Sequence, residues 1–368
     1  MQEGPGPPDC IMAQEDMDSV KEAQIQPEEE LEEINLGAGL RSQRPTFISS
    51  QLAAQEKEQL VALLEKYVDV FTWTYDEMLG LDLGLVVHSL NVDPGVKLVI
   101  QLAKLFHTDI EAQITQEVKK LLAAGFIKPI QHPKWLSNIV PMKKKNGQIR
   151  YCVDFRNLNK ACLKDEFPLP NIDLLVDSAV GNSMFSFMDG YSGYNQICMA
   201  AKDAEKTAFR KPIGNFYYTV KPFGLKNVGA IFQRTMITIF HDMMHREMED
   251  YADDIMVKSK TRAGHFQILE QVFERCRKYK LRINPMKCAF EVSAGKFLGF
   301  LVHHRGISVD PAKAIAITTM KRPIAVKELK SFLERVFYIR RFVLGLASVT
   351  SGLSKLLKKG AKFTWGIE

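Results

Sequence analysis

Two places in the sequence join an apolar, strand-like run to carboxylates, and together they restrict what the chain can fold into. Phe185-Ser186-Phe187-Met188 runs into Asp189, followed by Gly190-Tyr191-Ser192-Gly193-Tyr194. Tyr251-Ala252-Asp253-Asp254 stands between Met248–Asp250 and the apolar run Ile255, Met256, Val257, which sets two adjacent carboxylates at a hairpin tip. Acidic pairs at turns are usually only solvated, because Asp favours turn geometry. Asp189 instead ends a strand and points into open space. Carboxylates on rigid elements are the hard oxygen donors that Mg²⁺ takes, and three aspartates from two places suffice to hold two ions for phosphoryl transfer. The 64 residues separating Asp189 from Asp253 leave their convergence undecided.

The surroundings alternate helices with hairpins. Glu56–Tyr67 carries Leu60, Leu63, Leu64 and Tyr67 at helical spacing. Over 110–124, Ile110, Ile114, Val118, Leu121 and Leu122 share a face, and Gly125 ends the helix. Ile139–Met142, the turn Asn146-Gly147 and Arg150–Phe155 read as a β-hairpin whose loop carries Lys143, Lys144 and Lys145. Ala230–Phe240 reads as a further helix, and His241 and His245 as a pair four apart on a helix; no H-E-x-x-H pattern or cysteine partner supports zinc there.

Charge is unevenly spread. Residues 1–36 hold eleven acidic side chains against Lys21, a net of −10, so a chain of formal net charge +6 carries +16 on residues 37–368. A basic body of this kind suits a polyphosphate partner, although a merely soluble basic protein has the same balance. The first 40 or so residues are rich in Glu, Gln, Pro and Gly and read as a disordered acidic linker. Residues 313–359 carry eleven basic side chains against Glu328 and Glu334, and read as a separate helical lobe. No C-x-x-C pair and no apolar run of membrane-spanning length is present, so neither disulfides nor a membrane are expected.

In order and spacing, FSFMDGYSGYNQI, KPFGLKNVGAIFQR, EDYADDIMVKSK and KFLGFLVHHRGI resemble the reverse transcriptase of gypsy-class LTR retrotransposon Pol polyproteins. The resemblance runs from about Pro45 to Phe363-Thr364-Trp365. It implies an α+β right-hand polymerase: fingers, a palm with an antiparallel sheet under helices, and a helical thumb. The expected divisions are an acidic linker (1–44), an N-terminal extension (45–90), fingers and palm (91–306), a thumb (307–358) and a truncated start of the connection to ribonuclease H (359–368).

The implied activity is RNA-directed DNA polymerisation by two-metal chemistry, with two Mg²⁺ ions, or Mn²⁺, as cofactors. Carried over by motif, Asp189 and Asp253 coordinate the ions, Asp254 supports them and the Gly190 carbonyl adds a ligand. Lys144 and Arg150 grip the triphosphate, Asp154 orients the hairpin, and Tyr194 excludes a ribose 2′-hydroxyl. Phe223 and Gly224 lie against the templating base and nucleotide, while Arg156, Tyr251, Leu298 and Gly299 meet template and primer. The implied partners are dNTPs and an RNA or DNA template with its primer. The implied location is a cytoplasmic virus-like particle, with the nucleus as an alternative; ribonuclease H and integrase segments are absent.

Several positions depart from the family pattern. Ala252 stands where Val is usual, Leu163 where proline is usual, Cys198 where a basic residue is common, and Gln101–Leu105 where an arginine-rich run is common. Leu333-Glu334-Arg335 replaces a Gln-Gly-basic triplet of the thumb, setting an acid where duplex phosphates would pass. A decayed relic that folds and binds nucleic acid without polymerising is therefore the competing expectation.

Overall fold

The computed structural model describes residues 29–37, 43–143, 149–211 and 213–358, without the side chains of Lys143, Ile149 and Arg150. Most of the acidic leader, Lys144, Lys145, the Asn146-Gly147 turn and the expected connection segment lie outside the described residues.

Strands β1 (Leu31–Asn35) and β2 (Pro45–Ser49) precede helix α1 (Ala54–Lys66). Helix α2 (Thr108–Ala123) leads into β3 (Ile127–Pro129) and the hairpin β4 (Ile139–Lys143) and β5 (Ile149–Val153). Next come β6 (Met184–Asp189), β7 (Phe209–Lys211), β8 (Gly214–Tyr218) and α3 (Val228–Phe240). They are followed by β9 (Met248–Tyr251), β10 (Asp254–Ser259) and α4 (Arg262–Tyr279). The chain continues with β11 (Ala289–Val292), β12 (Ala294–Phe297), β13 (Phe300–His303) and β14 (Gly306–Val309), then helices α5 (Pro311–Thr318) and α6 (Val326–Tyr338).

The central sheet has the order β1-β2-β11-β6-β10-β9. It is antiparallel apart from the β2–β11 pair, which runs parallel. Strand β6 is buried on both faces, which accounts for its unbroken apolar run. Met188 joins the core formed with α1, α3 and α4. Phe185 and Phe187 point to the opposite side, against Leu175, Val176, Phe297 and Phe300. Strand β10 divides in the same way, with Ile255 and Val257 on the helix side and Met256 on the other, as the two-residue side-chain period requires.

Several buried polar groups within these layers are paired. His265 of α4 joins Ser186 Oγ of β6 at 2.8 Å and Ser259 Oγ of β10 at 2.9 Å. Burial lowers its pKa to about 3, so the imidazole is neutral and can serve one hydroxyl as donor and the other as acceptor. Glu249 and Lys258, both fully buried, pair at 2.6 Å.

Two expectations need correction. The stretch read as a disordered linker contains β1, in register with β2 from Leu31↔Ser49 to Asn35↔Pro45. Its composition is acidic overall, but Leu31 and Ile34 pack against the two cores, and a strand edge needs little more. His241 and His245 are not both on a helix: α3 ends at Phe240, and His245 sits in a turn at φ +62° with its Nδ1 2.7 Å from Glu249 Oε2. The segment 45–90 packs against the body: β2 is a strand of the central sheet, and Lys66 of α1 pairs with Glu270 of α4.

Glu291 in β11 carries a testable cost. It has φ +55° in a register-shifted part of the strand, is 1% exposed, and neither carboxylate oxygen has a hydrogen-bond partner among the described residues. Burial pushes its pKa up to about 7, against the pull of Arg262. A carboxyl whose folded pKa exceeds its unfolded value near 4.5 favours the folded state below that value, and this contribution is lost as pH rises through 7. Glu291→Gln is therefore expected to stabilise the protein by about 2–3 kcal/mol at pH 8 and to have little effect near pH 4.5. Thermal melts at the two pH values check this; an equal shift at both would refute it.

Candidate polymerase site

Antiparallel pairing of β6 with β10 closes the gap that spacing alone leaves open. Asp189 at the end of β6 is the register partner of Asp254 at the start of β10. The two-residue link Ala252-Asp253 turns β9 into β10, so Asp253 lies beside both. A backbone bond from Gly190 N to Asp253 O, 2.8 Å long, ties the two acidic segments together. Ala252 occupies the left-handed region at φ +55°. That conformation costs an L residue about 1 kcal/mol, and a β-branched Val would fit it worse than the Ala present here.

Among the described residues, no three His, Cys, Asp or Glu side chains are gathered closely enough to hold a metal. Three like charges at one sheet end repel one another, and a cation already satisfies one of them. Lys287 Nζ lies 3.1 Å from Asp189 Oδ2. Burial works against the Lys287 charge, but Asp189 and, more weakly, Asp253 and Asp254 outweigh it and raise its pKa. An ammonium therefore stands where these carboxylates favour positive charge, and their oxygens are of the hard type that Mg²⁺ or Mn²⁺ takes. The chemistry of these donors, rather than their spacing here, is that of a divalent-cation site.

Gly193 completes the cradle. A Cβ on it would collide with Asp253 Oδ1 and approach the Phe232 ring to 3.0 Å, so no larger residue lets Asp253 sit as it does. Beneath the turn, Asp250 is fully buried and takes a 2.8 Å bond from Gln233 of α3; burial above all, and the nearby acids, raise its pKa well above the usual carboxylate range. Gly193, Lys287 and the Gln233–Asp250 pair are contributions that sequence reasoning missed. Lys287 lies 98 positions from Asp189, and nothing in its local pattern distinguishes it from a solvated lysine.

Tyr194 is 1% exposed, edge-on to Phe223 (centroids 5.2 Å apart) and Phe232 (5.4 Å). Burial first, and the Asp253 charge next, raise its pKa well above the ordinary phenol value. Lys221, fully buried, has its ammonium 5.0 Å from the Tyr194 ring centroid and donates to the Val228 carbonyl. Gly224 has φ +91°, and its carbonyl takes the side-chain amide of Asn159 at 2.8 Å.

Asp154 is buried and held by Arg156 in a two-point contact, 2.8 Å from Nε to Oδ1 and 2.7 Å from Nη2 to Oδ2. Burial alone would raise the Asp154 pKa, but Arg156 leaves it lowered. Arg150 faces Met142 in the β4–β5 register. Lys144 lies outside the described residues.

Tyr251 is half-buried. The β12–β13 turn is formed by Leu298 (φ +51°) and Gly299 (φ +79°), a pair of left-handed residues suited to a tight hairpin. Leu298 is buried, and its carbonyl takes the Tyr338 hydroxyl of α6 at 2.8 Å. On α6, Leu333 is buried, whereas Glu334 is exposed and only loosely paired with Lys330 at 3.9 Å.

The family described as "Reverse transcriptase (RNA-dependent DNA polymerase)" matches residues 142–302. The chain is 35% identical over 260 residues to the retrovirus-related Pol polyprotein from transposon opus of Drosophila melanogaster, covering 69% of this chain and 26% of that protein. It is 33% identical over 222 residues to the transposon Tf2-3 polyprotein of Schizosaccharomyces pombe, covering 60% of this chain and 17% of that protein. The chain thus spans about a quarter or less of the length of these curated relatives.

Among solved structures, a foamy viral protease-reverse transcriptase in complex with double-stranded DNA superimposes with a TM-score of 0.78 at 22% identity, covering 86% of this chain and 55% of that one. The corresponding complex with an RNA/DNA hybrid gives 0.74 at 22% identity, covering 86% and 42%. The architecture is the fingers, palm and thumb arrangement of a right-hand polymerase. The chain is reverse-transcriptase-like, a right-hand polymerase fold with a family-level link to the Pol polyproteins of LTR retrotransposons and retroviruses.

Proposed function

We propose that the protein is an RNA-directed DNA polymerase of the gypsy class, adding dNTPs to a primer on an RNA or DNA template. The observation that carries this reading is the juxtaposition of Asp189 with Asp254 across β6 and β10, with Asp253 in the adjoining turn and a lysine ammonium drawn to the cluster. Asp189 and Asp253 would hold the divalent ions, supported by Asp254 and the Gly190 carbonyl. Bound Mg²⁺ or Mn²⁺ supplies activation of the primer 3′-hydroxyl and neutralisation of the departing pyrophosphate.

The chain's own residues do the rest. Lys144 and Arg150 bind the triphosphate, Phe223 and Gly224 border the base, and Tyr194 beneath Phe223 limits room at the sugar. Arg156, Tyr251, Leu298 and Gly299 border template and primer, with Asp154 fixing the Arg156 side chain. The basic thumb tracks duplex phosphates, giving a salt-sensitive affinity.

A second reading, a relic that binds nucleic acid without extending it, is favoured by one observation: exposed Glu334 on thumb helix α6 presents an acid paired only loosely, with Lys330, among the described residues. Primer extension on an RNA template with Mg²⁺ and dNTPs decides between them. Extension supports the polymerase; salt-sensitive binding without extension supports the relic.

A further inference from the structure

We propose that a cavity in the fingers, separate from the aspartate cluster, is a phosphate-binding site that takes a phosphate group carried by a nucleotide or by the single-stranded part of a template. The template half of this assignment rests on the polymerase reading above. The cavity, about 180 Å³ in volume, lies between residues 103–106, α2, β4 and β7. Its charged lining is Lys104, Arg210 and Lys211 against Glu111 alone, three positive groups and one negative, for a formal +2.

Lys211 makes the site more than a basic dent in the surface. It is 6% exposed, and its ammonium has no hydrogen-bond partner among the described residues. The Tyr151 ring lies under it at 5.0 Å from centroid to Nζ, and Glu111 acts on it only through its field. Burial lowers its pKa to about 8, so the group is still charged at neutral pH. A desolvated ammonium lacking an acceptor is strongly unfavourable, and an oxyanion removes that penalty. Arg210 spends one N–H on the Gln101 carbonyl at a long 3.3 Å, and its guanidinium has the fork that suits phosphate oxygens. Ile114 and Ile139 supply an apolar wall for the body of a nucleotide.

The cavity adjoins the segment that borders the template in the reading above. Asn138, part of the lining, accepts the Asp154 backbone N–H at 2.8 Å. Gln101 Nε2 bonds both the Asp154 carbonyl and Asn157 Oδ1 at 3.0 Å. Lys104 contributes to lowering the Asp154 pKa. Arg156 is thus linked to the cavity lining through Asp154 and Asn138.

The test uses the full chain as wild type, Lys211→Met and Arg210→Gln. Melting and calorimetric titration with inorganic phosphate and pyrophosphate form one arm. Anisotropy with primer–templates, blunt or carrying a single-stranded 5′ template overhang, forms the other. Phosphate should raise the melting temperature of the wild type and do so less in both variants. Lys211→Met should melt at or above the wild type when phosphate is absent.

If the ligand is template, the variants should bind the overhang duplex about tenfold more weakly, with a salt slope smaller by about one, and bind the blunt duplex as the wild type does. If the ligand is a free nucleotide, the loss should be confined to phosphate and pyrophosphate. Equal affinities for every probe in the wild type and in folded variants would overturn the site, and Arg210→Gln supplies that comparison should Lys211→Met not fold. The phosphate arm needs no extension activity. A protein that binds phosphate through Lys211 but never extends a primer would therefore overturn the polymerase reading and leave the cavity assignment standing.

Discussion

Asp253→Asn is expected to reduce primer extension by about 10²–10³-fold, the scale on which loss of a group stabilising transition-state charge is felt, while leaving primer–template affinity unchanged. Asp253 is 8% exposed, at the turn between β9 and β10, with the Gly193 backbone packed against its carboxylate. The amide keeps the side chain's shape, so the fold should survive. What it removes is one negative charge from a cluster of three, and with it the affinity for a divalent cation. Extension titrated with Mg²⁺ and with Mn²⁺ checks this together with duplex binding. A variant that still extends at a comparable rate would remove Asp253 from the metal site and favour Asp189 with Asp254 alone.

Gly193→Ala should be nearly as damaging, for a steric reason. The added methyl group would meet Asp253 Oδ1 and two atoms of the Phe232 ring, at 3.0 and 3.1 Å. Phe232 is itself buried against Tyr194, so it has little freedom to retreat. Overpacking of this kind costs about 1–3 kcal/mol, and relief comes most readily from displacing the Asp253 carboxylate. The expected outcome is a folded protein of lower melting temperature whose extension falls by about 10²-fold, because an ångström of misplacement at a reacting centre has that effect. Wild-type extension in Gly193→Ala would mean that the turn yields without moving Asp253.

Much of this was legible in the sequence because its signals are local. Leu60, Leu64, Ile114 and Val118 recur at helical spacing, and all four are buried in the helices expected there. Apolar runs ending in Asp189 and beginning after Asp254 are strands, and the acidic pair falls at the hairpin tip, Asp253 in the turn after β9 and Asp254 opening β10. Other features did not show. Strand β1 was hidden because composition averaged over forty residues conceals five that pair with a neighbouring strand. Lys287, Gly193 and Lys211 were hidden because what distinguishes each of them is the identity of its neighbours, and those neighbours are distant in sequence.

The sequence by itself determined the strongly patterned helices and strands, where the carboxylates fall on them, and how charge divides between leader and body, since periodicity, turn chemistry and composition are properties of adjacent residues. Only the tertiary structure decided that Asp189 faces Asp254, that Lys287 supplies their counter-charge, that Tyr194 is sealed beneath Phe223, and that Lys211 stands buried with no acceptor among the described residues. Each of these depends on register and burial. Both are set by the packing of strands and helices far apart in the chain, where the energy of a contact depends on distances that no local pattern encodes.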